Sequence, residues 1–428
     1  MKMFKEKPKQ LSMTLISMAL ALSVSTAEAV INGITGTTFD FTADYDRVST
    51  TDGNSIYFWG YNLTSNTQIY AQYPGPTLIV NQGDTITINL SNTLPEPVSI
   101  VFPGQQGVTA TGGTTGLLTR EATTMGTVSY SFTATKAGTY LYHSGSNMDK
   151  QVEMGLFGAI VVRPATAGQA YNHADSQFDR EYLYIMSEMD LDIHEAVELG
   201  QPIDTTSPKY EYWFINGRTG LDTISPAFAA WLPNQPYNIL PLMHPGEKLL
   251  LRVISAGKDS HPLHPHGNNF KLIARDGLLL QTAPGMGADL AYSDFTLQAD
   301  PGATFDILFE WTGEGMGWDF YGHAPTDPLE PFEDPTYHGV SLSSSRTSGG
   351  KEVLLPSSQD ATIGGLYSGS PFLGNNGELP PGEGGLNLWD GFFFPWHSHH
   401  EKELTNFGTF PGGMLTFFSV VPWDYNID

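Results

Sequence analysis

Short runs in which polar and apolar residues alternate divide most of the chain into two β-rich blocks. In the first block, residues 37–162, the segments 85–90 and 127–133 alternate with the two-residue period of a half-buried strand. The apolar runs 138–142 and 158–162 are shorter, and each begins with glycine. Short strands at this spacing, separated by turn-forming residues, predict a β-sandwich.

The second block starts near residue 180, and its predicted strands lie at residues 248–254, 270–274, 304–309, 392–394 and 415–421. We therefore predict two domains, residues 30–164 and 178–428, joined by a linker at residues 165–177. A segment rich in proline, glycine and serine, residues 324–388, interrupts the second domain before its last strands. A loop of this length is usually functional or mobile.

The N-terminal segment, residues 1–29, has the order of features of a secretory signal peptide. A basic start with lysines precedes a short apolar run, residues 11–24, and the small residues Ala27 and Ala29 mark a cleavage site. We therefore expect export to the periplasm or the extracellular space. An uncleaved N-terminal anchor is the alternative. No transmembrane helix is expected in the mature chain, because no later segment approaches the roughly 20 apolar residues that a spanning helix needs.

The composition is strongly acidic and contains no cysteine. Asp and Glu number 45 against 20 Lys and Arg, which gives a formal net charge of −25. Such a charge repels nucleic acid, so we expect no nucleic-acid partner, and it attracts cations, including metal ions. An exported chain without cysteine has no disulfides, so its domains must be held together by core burial.

Two histidine clusters are the main candidates for chemistry. His264 and His266 in one cluster, and His397 and His399 in the other, are spaced two apart, so each pair faces one side of a strand. Neutral imidazole is a good ligand for copper, zinc and nickel. The two pairs are predicted to hold one metal ion, or two with water as additional ligands. The alternative is a decayed site that binds no metal.

The two clusters resemble the C-terminal copper-binding motifs of the multicopper oxidases, the family of laccase and ascorbate oxidase. Residues 73–78, 138–145 and 155–160 are similar to further segments of that family. The resemblance implies an all-β fold with two cupredoxin-like antiparallel β-sandwich (Greek key) domains, as in two-domain multicopper oxidases and copper nitrite reductases. It also implies copper as the cofactor. Such relatives are often trimers with metal sites between subunits, so a homotrimer is compatible with the resemblance, but the sequence does not decide the oligomeric state.

By this resemblance, six histidines occupy copper-ligand positions: His143, His261, His264, His266, His397 and His399. His261 would bind the blue (type 1) copper. The other five would remain from the eight histidines that build the three-copper site of the family, and the resemblance predicts that these five meet in one pocket between the domains.

The chain departs from the family at several of its copper-ligand positions. Ser398 stands where the blue-copper cysteine would be, and Glu403 stands where the second blue-copper histidine would be. In the first block, Val101 and Pro103 replace a pair of histidines, and Gly145 replaces one more. A blue copper needs a thiolate ligand, so no type 1 site is expected.

Three functions are compatible with this sequence. The first is a copper-dependent oxidoreductase that lacks the blue copper centre and reacts directly with oxygen or a small-molecule substrate. The alternatives are a non-enzymatic protein that binds or sequesters copper, and a structural surface protein on a degenerate multicopper-oxidase scaffold. Bound copper without oxygen-dependent turnover would favour binding over catalysis, and the absence of bound metal would favour the structural role.

Overall fold

The computed structural model describes residues 31–266, 268–313, 319, 321, 325–339, 391–423 and 425–427, with the backbone of four short strands between residues 345 and 367. The signal peptide predicted at residues 1–29 and most of the 324–388 segment lie outside the described residues. None of the helices in the described ranges has the length and apolar character needed to cross a membrane.

Two facing sheets form a β-sandwich in the first part of the chain. Its strands are β1 Ile34–Thr35, β2 Thr38–Ser49, β3 Ser55–Leu63, β4 Leu78–Asn81, β5 Thr85–Asn92, β6 Thr109–Gly112, β7 Thr114–Thr115, β8 Arg120–Glu121, β9 Thr127–Thr133, β10 Gly138–His143 and β11 Phe157–Arg163. One sheet has the order β1-β4-β11-β10 and the other the order β3-β2-β5-β9-β6, while β7 and β8 pair with each other. Alternate residues of β5 point into the core, where Ile86, Ile88 and Leu90 are buried.

A second sandwich follows. Its strands are β12 Arg180–Met189, β13 Tyr212–Ile215, β14 Leu242–Met243, β15 Lys248–Ser255, β16 His261–Pro265, β17 Phe270–Arg275, β18 Leu278–Leu279, β19 Tyr292–Asp294, β20 Leu297–Ala299, β21 Thr304–Glu310, β26 Phe392–Ser398 and β27 Leu415–Val420. One sheet has the order β13-β12-β15-β21-β17-β18, with β19 on β17, and the other has the order β14-β27-β26-β16-β20. The core between them contains Trp396, Phe309 and Phe418, whose rings contact one another.

The remaining elements are short. The helices are α1 Met148–Gln151 and α2 Leu191–Glu198, and 3-10 turns lie at Ala174–Ser176, Asp222–Ile224 and Glu401–Leu404. Two separate strand pairs are β22 Ser345–Ser348 with β23 Lys351–Leu354, and β24 Thr362–Ile363 with β25 Leu366–Tyr367.

The two sandwiches pack against each other through a buried apolar cluster. Tyr73 of the first sandwich lies at its centre, with its ring centroid 5.4 Å from those of Phe58 and Phe157. On the other side, the ring centroid of Phe214 lies 5.5 Å away, and the Tyr73 hydroxyl hydrogen-bonds the Ser187 hydroxyl at 2.8 Å. Aromatic pairs at these separations stabilise a contact beyond the area they bury, so the sandwiches are joined by a packed interface.

The predicted fold class is confirmed, since the chain is all-β and is built from facing sheets. The predicted strands correspond to β5, β9, β10, β11, β15, β17, β21, β26 and β27. The sheets differ from the antiparallel expectation in one respect, because five of their strand pairs are parallel: β1–β4, β4–β11, β2–β5, β12–β15 and β14–β27. Parallel partners cannot be joined by a tight hairpin, and the connections between these strands instead pass through other elements.

The segment predicted as a linker, residues 165–177, is packed in its middle. Tyr171 is buried, and its hydroxyl donates a hydrogen bond to the Asp306 carboxylate on β21. This contact attaches the segment to the second sandwich. The domain boundaries at residues 164 and 178 remain predictions.

Candidate metal centre

The pairing of β16 with β26 brings the two histidine pairs together. These strands are antiparallel neighbours, and His264 lies directly opposite His397. His266 follows the end of β16, and His399 follows the end of β26. Because residues two apart share a face of a strand, the side chains of all four residues reach the same end of the sheet. We call His264, His266, His397 and His399 the histidine cluster.

The rings of the histidine cluster are in mutual contact. The Nε2 atoms of His266 and His397 lie 2.7 Å apart. The ring centroids are separated by 4.7 Å for His264 and His399, by 4.8 Å for His266 and His397, and by 5.3 Å for His264 and His266.

Backbone carbonyls fix the orientation of two of these rings. His264 Nδ1 donates to the Phe295 carbonyl at 2.7 Å, and His397 Nδ1 donates to the Ser398 carbonyl at 2.6 Å. A neutral ring that donates through Nδ1 carries its lone pair on Nε2. Metal-binding histidines are commonly held in this way, because the second hydrogen bond fixes the tautomer and the direction of the ligand atom.

The local environment keeps His266 and His397 in the form that binds metal. Burial and the neighbouring imidazoles lower the pKa of His397 to about 4, against the smaller opposing effect of its bond to the Ser398 carbonyl. Burial also lowers the pKa of His266, again with help from nearby imidazoles. Both rings are therefore neutral near pH 7. His266 and His399 are exposed, so solvent and small solutes have access to the cluster.

One pair of donor atoms in the cluster has the spacing expected for two ligands of a copper or zinc ion. Two imidazole nitrogens that bind one ion at about 2.0–2.1 Å lie roughly 3 Å apart when the angle at the ion is near 90°. The observed separation of 2.7 Å between His266 Nε2 and His397 Nε2 is close to this value. Because His397 Nε2 carries a lone pair, the proton between the two rings is on His266, and a metal ion would take its place.

His143 does not contact the histidine cluster. It ends β10, forms a β-bridge with Val101, and donates from Nδ1 to the Ser144 carbonyl at 2.8 Å. This bond leaves Nε2 as the acceptor, as in His264 and His397. Among the described residues, however, no hydrogen bond or ring contact joins His143 to the other four. The structure therefore brings together four of the five residues that were predicted to converge.

His261 lies elsewhere, between two carboxylates. Its Nδ1 is 2.9 Å from Glu403 Oε2, and its Nε2 is 3.0 Å from Glu188 Oε2. All three side chains are buried. Carboxylates only accept hydrogen bonds, so both ring nitrogens donate and the ring is an imidazolium. We call Glu188, His261 and Glu403 the buried triad.

The buried triad has strong electrostatic coupling. Burial by itself lowers the pKa of His261, but the hydrogen bonds and charges of Glu188 and Glu403 outweigh it and raise the pKa to about 9. Among the described residues, no hydrogen bond or ring contact joins His261 to the histidine cluster. His261 is therefore not counted among the ligands of that cluster, although the family resemblance assigned it to the blue copper.

The residues around the buried triad are those of the predicted blue-copper position. Ser398 is buried, and its hydroxyl accepts a hydrogen bond from the His400 backbone at 3.1 Å. Its backbone N–H donates to the Met414 carbonyl at 3.0 Å, and the Met414 N–H donates to the Glu403 carbonyl at 2.7 Å. These backbone hydrogen bonds place Met414 next to Ser398 and Glu403.

Three further histidines have structural contacts. His194 is buried, and both ring nitrogens lie near backbone carbonyls, of Tyr57 at 2.5 Å and of Glu153 at 3.2 Å. His173 accepts a hydrogen bond from the backbone of Asp175. His244 stacks on a tryptophan ring with 4.5 Å between the centroids. His323 lies outside the described residues.

The sequence analysis missed two groups of interacting residues. Glu188 of the buried triad lies on β12 among buried residues, and a charged residue in such a run was the only available signal. The second group is Asp319, Glu333 and His338, whose ligand atoms lie within 4.8 Å of one another. These three are spread over a proline-rich stretch with no motif spacing, so the sequence pattern did not reveal them.

Comparison with known proteins agrees with this picture. Residues 50–167 match the family model for a multicopper oxidase. An iron transport multicopper oxidase of Epichloe festucae is 26% identical over 310 residues, which cover 64% of this chain and 46% of that protein. An L-ascorbate oxidase of Cucurbita pepo is 32% identical over 127 residues, 28% of this chain and 23% of that protein. The chain thus spans less than half the length of these relatives.

Solved structures show the same fold. The multicopper oxidase mgLAC superposes with a TM-score of 0.57 and 16% identity, covering 91% of this chain and 87% of that one. The blue copper oxidase from Nitrosomonas europaea gives a TM-score of 0.57 and 16% identity, covering 90% and 85%. The chain therefore shares the cupredoxin-like fold of these structures. The resemblance to the multicopper oxidases is confirmed, and the chain has no cysteine for a blue copper.

Proposed function

We propose that this protein binds copper through the histidine cluster and has no blue copper centre. The observation that supports this most strongly is the 2.7 Å approach of His266 Nε2 to His397 Nε2. The carbonyl bonds that orient His264 and His397 add to it, because they direct Nε2 of each ring as a ligand atom. The relationship to multicopper oxidases favours copper over zinc as the ion.

The residues of the chain also restrict the redox chemistry that is available. Bound copper would supply one-electron oxidation and reduction, because it changes between two oxidation states. The chain has no cysteine that could lead electrons into the cluster from a blue copper. At the corresponding position, the buried triad contains only an imidazolium and two carboxylates, none of which changes oxidation state under ordinary conditions. A non-enzymatic copper-binding or copper-sequestering role therefore fits the geometry best.

A copper-dependent oxidoreductase is the second candidate, and the exposure of His266 and His399 favours it. An open cluster would admit oxygen or a small substrate directly, without a separate electron-entry site. Oxygen consumption by the copper-loaded protein with a phenolic or ferrous substrate separates the two candidates. Turnover that requires His397 supports the oxidoreductase, and stoichiometric copper without turnover supports binding alone.

Copper binding is expected to depend on the histidine cluster. The double variant His397→Ala/His399→Ala should bind copper at least tenfold more weakly than the wild type, because it removes one of the two ligand pairs. Competition with a chromophoric copper chelator measures this affinity. The control is His173→Ala, whose ring accepts one backbone hydrogen bond at the surface. Equal copper affinity in all three proteins would refute the proposed site and favour a structural role.

The optical spectrum of the copper-loaded protein should contain no intense blue band. That band arises from charge transfer between a thiolate and copper, and the chain has no thiol. Weak absorption from imidazole-bound copper is expected instead. An absorption spectrum of the purified chain, loaded with one equivalent of copper, checks this, and an intense blue band would contradict the assignment of the ligands.

We further propose that the protein is exported after removal of residues 1–29 and has domains at 30–164 and 178–428. Its association into a homotrimer remains a proposal from the family resemblance. In a trimer, His143 would have a route to a metal site that it does not reach within one chain. Light scattering gives the oligomeric state of the mature protein, and its N-terminal sequence gives the cleavage site.

A further inference from the structure

We infer that Asp319, Glu333 and His338 form a second metal site, for a divalent cation of the zinc type, separate from the histidine cluster. The three side chains come from the segment that precedes and begins the proline-rich insertion. Their ligand atoms, one nitrogen and two oxygens, lie within 4.8 Å of one another.

The distances identify the three donor atoms. His338 Nδ1 is 2.6 Å from Glu333 Oε1 and 3.9 Å from Asp319 Oδ2. Ligands of a zinc-type ion at about 2.0–2.2 Å lie roughly 3–3.5 Å from one another. The observed separation of His338 Nδ1 from Glu333 Oε1 is shorter than this range, and its separation from Asp319 Oδ2 is longer. Small movements of the side chains would therefore allow one ion to contact all three atoms.

The other polar atoms of these side chains are held by the backbone. His338 Nε2 donates to the Asp327 carbonyl at 2.9 Å. Glu333 Oε2 accepts from the Glu330 N–H at 2.9 Å, and Asp319 Oδ1 accepts from the Tyr321 N–H at 2.9 Å. Asp319 Oδ2 also accepts from the Gly339 N–H at 2.9 Å, and a carboxylate oxygen with two lone pairs can accept this bond and still bind a cation.

This pattern of outer contacts is typical of a metal site. A metal-binding histidine usually donates its second ring N–H to a backbone carbonyl or a carboxylate, and metal-binding carboxylates are themselves hydrogen-bonded. In His338 the nitrogen that faces Asp327 is oriented in this way, so that the opposite nitrogen, Nδ1, points at Glu333 and Asp319. The outer hydrogen bonds thus orient the three inner atoms towards one point.

Burial and charge also favour a cation here. Asp319 is 2% exposed and Glu333 is 8% exposed. Buried carboxylates are stabilised by nearby positive charge, and a divalent cation supplies more of it than an imidazolium does. One imidazole with two carboxylates suits zinc, and this donor set is harder than the all-imidazole histidine cluster.

Phe332, next to the proposed site, packs against the second sandwich. Phe332, next to Glu333, stacks on the ring of Trp423 with 6.2 Å between the centroids. Gly246 lies beneath the Phe332 ring, and a side-chain atom at that glycine would lie 2.4 Å from it. A metal ion bound here would therefore join the start of the insertion to a packed part of the sandwich.

Zinc titration of the full chain tests the inference. The background is the His397→Ala/His399→Ala variant, so that the histidine cluster does not contribute. Competition with a chromophoric chelator should give one zinc per chain, and adding Glu333→Gln should weaken this binding at least tenfold. The matched control is Glu330→Gln, which makes the same chemical change three residues away and should leave the affinity unchanged.

Thermal unfolding is a second readout, and it distinguishes a loss of zinc binding from a folding defect in the Glu333 variant. Zinc should raise the thermal unfolding temperature of the background protein and of the Glu330 control, but not that of Glu333→Gln or His338→Gln. Equal zinc affinity and an equal thermal shift in all four proteins would overturn the inference. The copper test of the histidine cluster is independent, since a loss of copper binding there leaves this zinc site intact.

Discussion

Replacing His261 with leucine should lower the free energy of unfolding by about 3–5 kcal/mol at pH 7, because removing one partner of a buried ion pair leaves the other charged and uncompensated. Here the loss would leave Glu188 and Glu403 buried with no imidazolium between them. Urea unfolding of chelator-treated protein, followed by tryptophan fluorescence, measures the change.

The matched control is the same substitution at an exposed histidine. His399→Leu should change the free energy of unfolding by less than about 0.5 kcal/mol in the metal-free protein, as is usual for surface substitutions. A loss below about 1 kcal/mol in His261→Leu would show that the buried triad contributes little to stability.

The buried triad also predicts how stability depends on pH. The pKa of His261 is raised to about 9 in the folded protein, against about 6.5 in an unfolded chain. A group with a raised pKa stabilises the fold fully below its unfolded pKa and loses that stabilisation as the pH rises through its folded value. We therefore expect a loss of roughly 3 kcal/mol between pH 6.5 and pH 9.5. The His261→Leu variant should lack this component, and identical pH profiles would contradict the assignment.

The second large effect is expected at Arg252. Its side chain is buried, and Nε donates to Glu181 Oε1 at 2.6 Å. Its Nη1 donates to Thr139 Oγ1 at 2.8 Å and to Asp306 Oδ1 at 3.3 Å. Thr139 belongs to β10 of the first sandwich, so this network also joins the two sandwiches. The substitution Arg252→Met should lower the free energy of unfolding by about 3–5 kcal/mol, since it removes the guanidinium from the buried Asp306 and leaves Glu181 with Arg163 alone.

Arg275→Met is the control for this substitution. Arg275 is about half exposed, and its ion pairs with Asp276 and Asp300 are 3.5 and 3.6 Å long. Exposed ion pairs of this kind contribute about 0–1 kcal/mol to the free energy of unfolding. Urea unfolding of the two variants side by side measures the difference, and similar losses would mean that the Arg252 network does not stabilise the fold as a buried ion-pair network.

The periodicity of the chain was sufficient to predict the fold class. Segments such as β5 and β9 alternate strictly, because each strand has one face in the core and one outside. The pairing of strands was harder to predict from the sequence, since parallel pairs such as β12–β15 depend on how the intervening chain crosses between sheets. The local pattern of polar and apolar residues does not indicate the path of that crossing.

The absence of a blue copper was also determined by the sequence, because a chain without cysteine cannot supply the thiolate. The pairing of His264 with His266 and of His397 with His399 followed from spacing alone. Their meeting in one cluster required the register that places His264 opposite His397, which is a property of the folded sheet.

Only the tertiary structure decided what surrounds His261, the residue that the resemblance assigned to the blue copper. Glu188 and Glu403 lie more than 200 positions apart in the chain, and His261 lies between them only because β12, β16 and the 3-10 turn at Glu401–Leu404 come together. The same holds for Asp319, Glu333 and His338, which share no recognisable spacing. The sequence by itself determined which ligand types are available, and the fold decided which of them meet, because contacts between distant residues depend on strand order and loop path.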